Sequence, residues 1–276
     1  MHPKLRLGVS EATYLRPLLS GLDAPDSPFE LAVDLPAVNS VHLNERTGDI
    51  RCAFLSPIDY ARYGGSYRII PHVCVASSNP TNTITLTIKQ GIRSIRKVAV
   101  DVRVTSEIIL AKILLVERLR NLPEDRSGVE FVPMMPSLDA MLQKADAALI
   151  VSFSPAKRPT SEHYTLDLVE EWSDMTGFPY VHGFWVAREE DIEADHIKSL
   201  VDARNRGVAQ LDELTRGQGL RGDGSPEELR EYFDSFSYEF GDAEVESVRE
   251  FVTYAYYHGV LGDVPEISFF DSPAST

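Results

Sequence analysis

The stretch VAVDVRVTSEIILAKILLVERL, Val98 to Leu119, changes period partway along, and that change limits the folds open to the chain. Val98, Val100, Val102 and Val104 alternate as in a strand. After Thr105-Ser106 the spacing becomes helical: Ile109, Leu110, Ile113, Leu114 and Leu115 share an apolar face, with Lys112, Glu117 and Arg118 among the polar positions. Ser106, or Thr105 beside it, suits the helix N-cap, and Glu107 suits the positive first turn. Free backbone N–H groups and two hydroxyls at such a junction can cradle an anion; plain capping explains the same residues.

The same alternation of strand and helix opens the chain. Leu5 to Val9, Phe29 to Leu35 and Ile50 to Leu55 read as strands. Ala12 to Leu22 and Pro36 to Arg46 read as helices, the second with Val38, Val41 and Leu43 inward. This rhythm predicts a parallel doubly wound α/β unit, whose ligands sit beyond the C-terminal ends of the strands. Ser10 and Ser56 fall at such ends, where each also reads as a simple cap or turn. Tyr67 to Ala76 is a further strand, broken by Pro71, and SSNPTNT, Ser77 to Thr83, is a cluster of turn formers before a strand at 83–88. Past the central helix, strands are expected at Gly128 to Pro133, Ala147 to Val151 and Tyr180 to Val186, with a helix at Ser137 to Ala145. Pro155 to Tyr164 reads as a loop. Helices at Asp191 to Gly207, Ser225 to Asp234 and Asp242 to His258 read as a C-terminal cap returning to an earlier lobe, with the turn GQGLRGDGSP between the first two.

A net charge of −15 and the lack of any Lys/Arg cluster argue against a nucleic-acid face. An anionic ligand would have to be held by local donors against that overall field. Cys52 and Cys74 sit in apolar strand-like runs; buried thiols in a reducing compartment are expected, with a disulfide as the other reading. The N-terminal residues carry no signal-peptide pattern and nothing later approaches a membrane span, so a cytoplasmic protein without a membrane partner is expected. The seven histidines show no metal-site spacing, and no metal is expected.

Six segments in order carry a family resemblance: RPLLSGLD, GDIRCAFLSPIDYARYGGSYRIIPHVCVASSNP, VAVDVRVTSEIILAKILL, ADAALIVSF, DLVEEWSDMTGFPYVHGFW, and the tail from VDARNRG to EFVTYAYYHGVLG. Together they resemble the chorismate dehydratase family of the futalosine route to menaquinone, with its sister dihydroxynaphthoate synthase. The resemblance implies a two-lobed periplasmic-binding-protein fold of the second type. It implies one lobe of 1–84 plus 187–276 and another of 85–186, with hinge strands near Thr83–Leu86 and Val181–Val186 and a ligand cleft between the lobes. Departures fall in the pocket motifs. Tyr14 stands where the family's S-Y-L-N-[ST]-x-P-L has its asparagine. Thr83 and Asn79 replace a serine and a glycine of G-P-V-x-S-V. Arg103-Val104-Thr105-Ser106 replaces S-x-T-S, and Val151-Ser152-Phe153 replaces I-G-D.

The implied reaction is loss of water from chorismate to give 3-(1-carboxyvinyloxy)benzoate, by a carbon–oxygen lyase that needs no cofactor. Aromatisation drives it, so the protein must orient a small dicarboxylate, exclude water and assist a proton transfer. Thr105-Ser106 would hold one carboxylate, and Ser56 with Asn82-Thr83 the other. Ser10, Ser77 and Ser152 fall at converging strand ends, and Arg16 and Arg103 could add charge-assisted bonds. Tyr14 is the catalytic candidate, as proton donor or as a ring stacked on substrate. Asp59 and Asp101 are candidate bases by residue type, Asp59 reading equally as a helix cap; the substrate's own carboxylate could serve instead. Two alternatives remain: an enzyme on another enolpyruvyl or cyclohexadienyl acid, and a non-catalytic carboxylate-binding protein of the same fold. A homodimer stays open.

Overall fold

A computed structural model describes residues 4–46, 49–63, 66–118, 128–155, 162–216 and 224–272. Most of GQGLRGDGSP, and Leu119, lie outside them. The chain builds two five-stranded mixed sheets. The first collects β1 (Leu5–Val9), β2 (Phe29–Val33), β3 (Ile50–Leu55) and β4 (Arg68–Ser77), with α1 (Pro36–Glu45) and α2 (Pro57–Arg62) between them. The second holds β5 (Ile84–Ile88), β6 (Lys97–Asp101), β7 (Glu130–Met134), β8 (Ala147–Val151) and β9 (Tyr164–Asp167), with α3 (Ser106–Glu117), α4 (Leu138–Lys144) and α5 (Leu168–Thr176). The chain then returns through β10 (Tyr180–Ala187) to α6 (Ala194–Ala209), α7 (Leu211–Arg216), α8 (Pro226–Asp234) and α9 (Asp242–Tyr257).

The strand orders are β2-β1-β3-β10-β4 and β7-β6-β8-β5-β9. In each, four strands run the same way, three of them paired in parallel as the opening rhythm predicts, and one strand (β10 or β5) runs antiparallel to its neighbours. The sheets do not divide at residue 186. β10 pairs from Tyr180 onward with β4 and from Phe184 onward with β3, so it belongs wholly to the first sheet. Its alternation fixes it there: Trp185 enters the core under β1 and α6, and Phe184 enters the core on the opposite face with α2 and α9. Gly183 lets it lie close, since a Cβ there would come within 2.6 Å of the Leu55 carbonyl oxygen.

Several local readings change for identifiable reasons. The first predicted helix is a 3-10 helix, Thr13–Leu19, with Pro17 inside it. α1 turns Asn39, Ser40 and Leu43 inward while Val41 stays exposed. Asn39 Nδ2 donates to the Val9 carbonyl at 2.8 Å, tying the end of β1 to the helix. β6 stops at Asp101 because its carboxylate accepts the Arg103 N–H at 3.0 Å, and the chain turns before Val104. Pro71 is tolerated because β4 is an edge strand, and His72 after it takes a left-handed φ of 65°. Cys52 and Cys74 are free and buried.

α6 and α8 cover the first sheet, but α9 serves both halves. Its Val248 and Val252 pack into the first half, and Phe251 and Ala255 into the second. Ser247 Oγ, fully buried, accepts from Trp172 Nε1 of α5 at 3.2 Å and donates to the Pro179 carbonyl at 2.5 Å.

Candidate functional site

Strand ends from both sheets meet at one cleft. The chain leaves β1 at Ser10, β2 at Asp34-Leu35, β3 at Ser56, β6 at Arg103 and β8 at Ser152-Phe153. An inner chamber with about 20 Å³ of free space lies among Ser10, Tyr14, Ser56, Asp59, the run Arg103–Glu107 and His182. It shares Ser10 and Arg103 with an outer chamber of about 350 Å³, walled by Val33, Leu35 and Phe153 and rimmed by Glu11 and Asp34. The halves touch here: Thr13 N–H donates to the Phe153 carbonyl at 2.7 Å, and Ser106 lies 2.5 Å from Ser56, Oγ to Oγ.

Arg103 is the cation of the cleft. Its Nε and Nη2 donate to the two Asp101 carboxylate oxygens at 2.9 and 2.6 Å, and Nη2 also reaches the Val151 carbonyl at 3.0 Å. Asp101 is fully buried, while the Arg103 side chain keeps 34% of its surface. The guanidinium carbon sits 5.1 Å from the centroid of the Phe153 ring. The hydrogen bonds it donates to Asp101 hold Arg103 above its ordinary range. Asp101 is therefore a clamp for Arg103 and not a base.

Acids line the inner wall. Burial raises Glu107 to about 7, with the Asp59 and Asp101 charges adding, although its own backbone N–H bonds to it. Burial also raises Asp59. Ser56 Oγ lies 2.8 Å from Asp59 Oδ2, accepts the Asp59 N–H at 3.2 Å and shares a hydrogen bond with Ser106 Oγ. Ser56 caps α2 in this way, and Ser106 is drawn off the α3 cap, where Thr105 makes no side-chain bond. The Tyr14 hydroxyl is raised by burial and by the Glu107 charge, and Tyr180 likewise. His182 is pushed down to about 3 by burial. Its ring centroid lies 5.2 Å from Tyr14, 5.0 Å from Tyr180 and 5.4 Å from Phe236.

Of the residues singled out by sequence, Ser10, Tyr14, Ser56, Arg103, Thr105 and Ser106 line these two chambers, and Arg16, Ser77, Asn82, Thr83 and Ser152 lie outside their walls. The corner after β4 is occupied from within. Asp167, 1% exposed, accepts the Thr81 and Asn82 N–H groups at 2.9 and 2.5 Å while capping α5 through Val169 and Glu170. Thr83 Oγ1 is 2.6 Å from Thr81 Oγ1. Ser77 donates to the Asn79 and Ser235 carbonyls, and Ser152 to Ser154. Arg16 lies within the 3-10 helix, whose buried residues are Thr13, Leu15, Pro17 and Leu18. Sequence reasoning passed over His182 and read Glu107 only as a first-turn charge. Glu107 does stand at a strand-to-helix junction, but the chamber it lines is completed by Ser10, Ser56 and His182, far away in the chain.

No group of three or more His, Cys, Asp or Glu residues suited to a metal ion occurs among the described residues, and none of their helices is long and apolar enough to cross a membrane. Solved structures share the architecture. AF1704 from Archaeoglobus fulgidus is 14% identical with a TM-score of 0.64, over 94% of this chain and 99% of that one. The CA3427 product of Candida albicans, described as having the generic periplasmic binding protein fold, is 14% identical with a TM-score of 0.62, over 95% and 92%. The aliphatic sulphonate binding protein SsuA from Escherichia coli is 13% identical with a TM-score of 0.60, over 100% and 96%. At such identities these likenesses show the fold alone: that of the periplasmic binding proteins. The model of the menaquinone biosynthesis family matches residues 5–257, and the chain belongs to that family.

Proposed function

We propose that the protein is a lyase of menaquinone biosynthesis that removes water from chorismate to give 3-(1-carboxyvinyloxy)benzoate. The observation that carries this reading is Arg103, clamped by Asp101 and held over Phe153, in the wall of the same chamber as the Glu107 carboxyl. Arg103 would hold one substrate carboxylate by charge-assisted bonds. Pockets for small molecules commonly span about 300–1,000 Å³. The inner chamber alone is too small, while the outer chamber of about 350 Å³ has room for the enolpyruvyl arm.

The reaction takes a ring proton from the carbon bearing the ether and expels the neighbouring allylic hydroxyl as water. Glu107, titrating near 7, suits the proton-accepting role at neutral pH. Tyr14 keeps its proton under the same conditions and suits donation to the departing oxygen. Incubation with chorismate tests the reading: loss of the diene absorbance, with a product lighter by one water, supports it. Chorismate that raises the melting temperature but persists points to a binding protein, and chorismate that does neither directs the search to another enolpyruvyl or cyclohexadienyl acid.

A further inference from the structure

His182 projects from β10 into the inner chamber, and nothing in the assignment above uses it. Its Nε2 is buried and has no hydrogen-bond partner among the described residues. Such a group is expensive to bury unless something satisfies it. The ring is caged by Tyr14, Tyr180 and Phe236, so its packing is complete and only its polar edge is unanswered.

We propose that His182 is the specificity-determining residue of the cleft and that it reads an alcohol: the ligand is a cyclic hydroxy acid, with its carboxylate on Arg103 and its hydroxyl against the His182 imidazole. A neutral imidazole offers one donor and one acceptor, which matches a hydroxyl, whereas a carboxylate only accepts. Burial keeps the ring neutral at ordinary pH. A carboxylate at the inner end would also meet Asp59 and Glu107, while Arg103 marks where the carboxylate belongs, toward the outer chamber. This rests on the reading that the cleft takes a cyclic carboxylate. For chorismate it sets the orientation, allylic hydroxyl inward and enolpyruvyl arm outward.

The test compares a matched pair by calorimetry, 4-hydroxybenzoate with benzoate. The wild type is expected to bind the hydroxylated member about tenfold more tightly. His182→Phe keeps the ring contacts and should abolish that preference by weakening only the hydroxylated member, and His182→Gln should restore part of it. A wild type without preference, a preference that survives His182→Phe, or equal weakening of both members would overturn the proposal. Chorismate left intact alongside a His182-dependent preference for 4-hydroxybenzoate would remove the lyase reading and leave this one standing. If His182→Phe does not fold, the ring nitrogen resonances of wild-type His182 decide: they should shift on adding 4-hydroxybenzoate and not benzoate, and an equal response would overturn the proposal.

Discussion

Arg103 has two of its faces occupied before any ligand arrives, by Asp101 along one edge and Phe153 beneath. The remaining edge opens on both chambers. Arg103→Met, made together with Asp101→Asn so that no buried carboxylate is left unpaired, should weaken binding of an aromatic carboxylate by about 1.5–3 kcal/mol, read by calorimetry. Glu107 gives a pH signature with a definite sign. Its carboxyl is raised from 4.5 to about 7, so the folded protein holds a proton that the unfolded chain releases. The stabilisation is complete below the unfolded value and is lost as pH rises through about 7. Glu107→Gln should therefore raise the melting temperature at pH near 8 and leave it nearly unchanged at a pH below the unfolded value, and the activity that rises through neutral pH in the wild type should be lost. Arg103 and Thr105-Ser106 were legible because they abut a strand-to-helix switch. Glu107 and His182 were not, because desolvation depends on neighbours brought from distant parts of the chain.

Asp167 shows the same limit for a whole element. Its position in the sequence marks a helix start, yet its second role, holding the corner at Thr81-Asn82, is set by the pairing of β5 with β9. Asp167→Ala would leave four backbone N–H groups without this acceptor and should cost about 2–4 kcal/mol, with faster amide exchange at Thr81 and Asn82. α6 lies against the 3-10 helix through Gly207, where a Cβ would come within 1.9 Å of the Pro17 carbonyl oxygen. Gly207→Ala should destabilise the fold by about 1–3 kcal/mol in urea unfolding. β1, β3 and β8 lie at the residues that apolar patterning marks. β9 and α7 escaped it, since elements of four and six residues hold too little pattern to stand out. The place of β10 in the first sheet was also hidden, because strand pairing is non-local while periodicity is local.

At the scale of the molecule, the halves are joined at the cleft by Ser56, Ser106, Thr13 and Phe153, and away from it by α9 against α3 and α5. His258 Nε2 and Glu117 approach to 3.0 Å on that second side. The two-sheet architecture follows from the order of strands and helices. The ligand does not, because in this fold the strand ends set where a molecule binds and only the side chains there set which one. The most direct measurement is mass spectrometry of a chorismate incubation with the wild type and with the Arg103→Met/Asp101→Asn protein side by side. The expected result is 3-(1-carboxyvinyloxy)benzoate accumulating with the wild type and little or none with the variant. Chorismate recovered intact from the folded wild type would contradict the assignment.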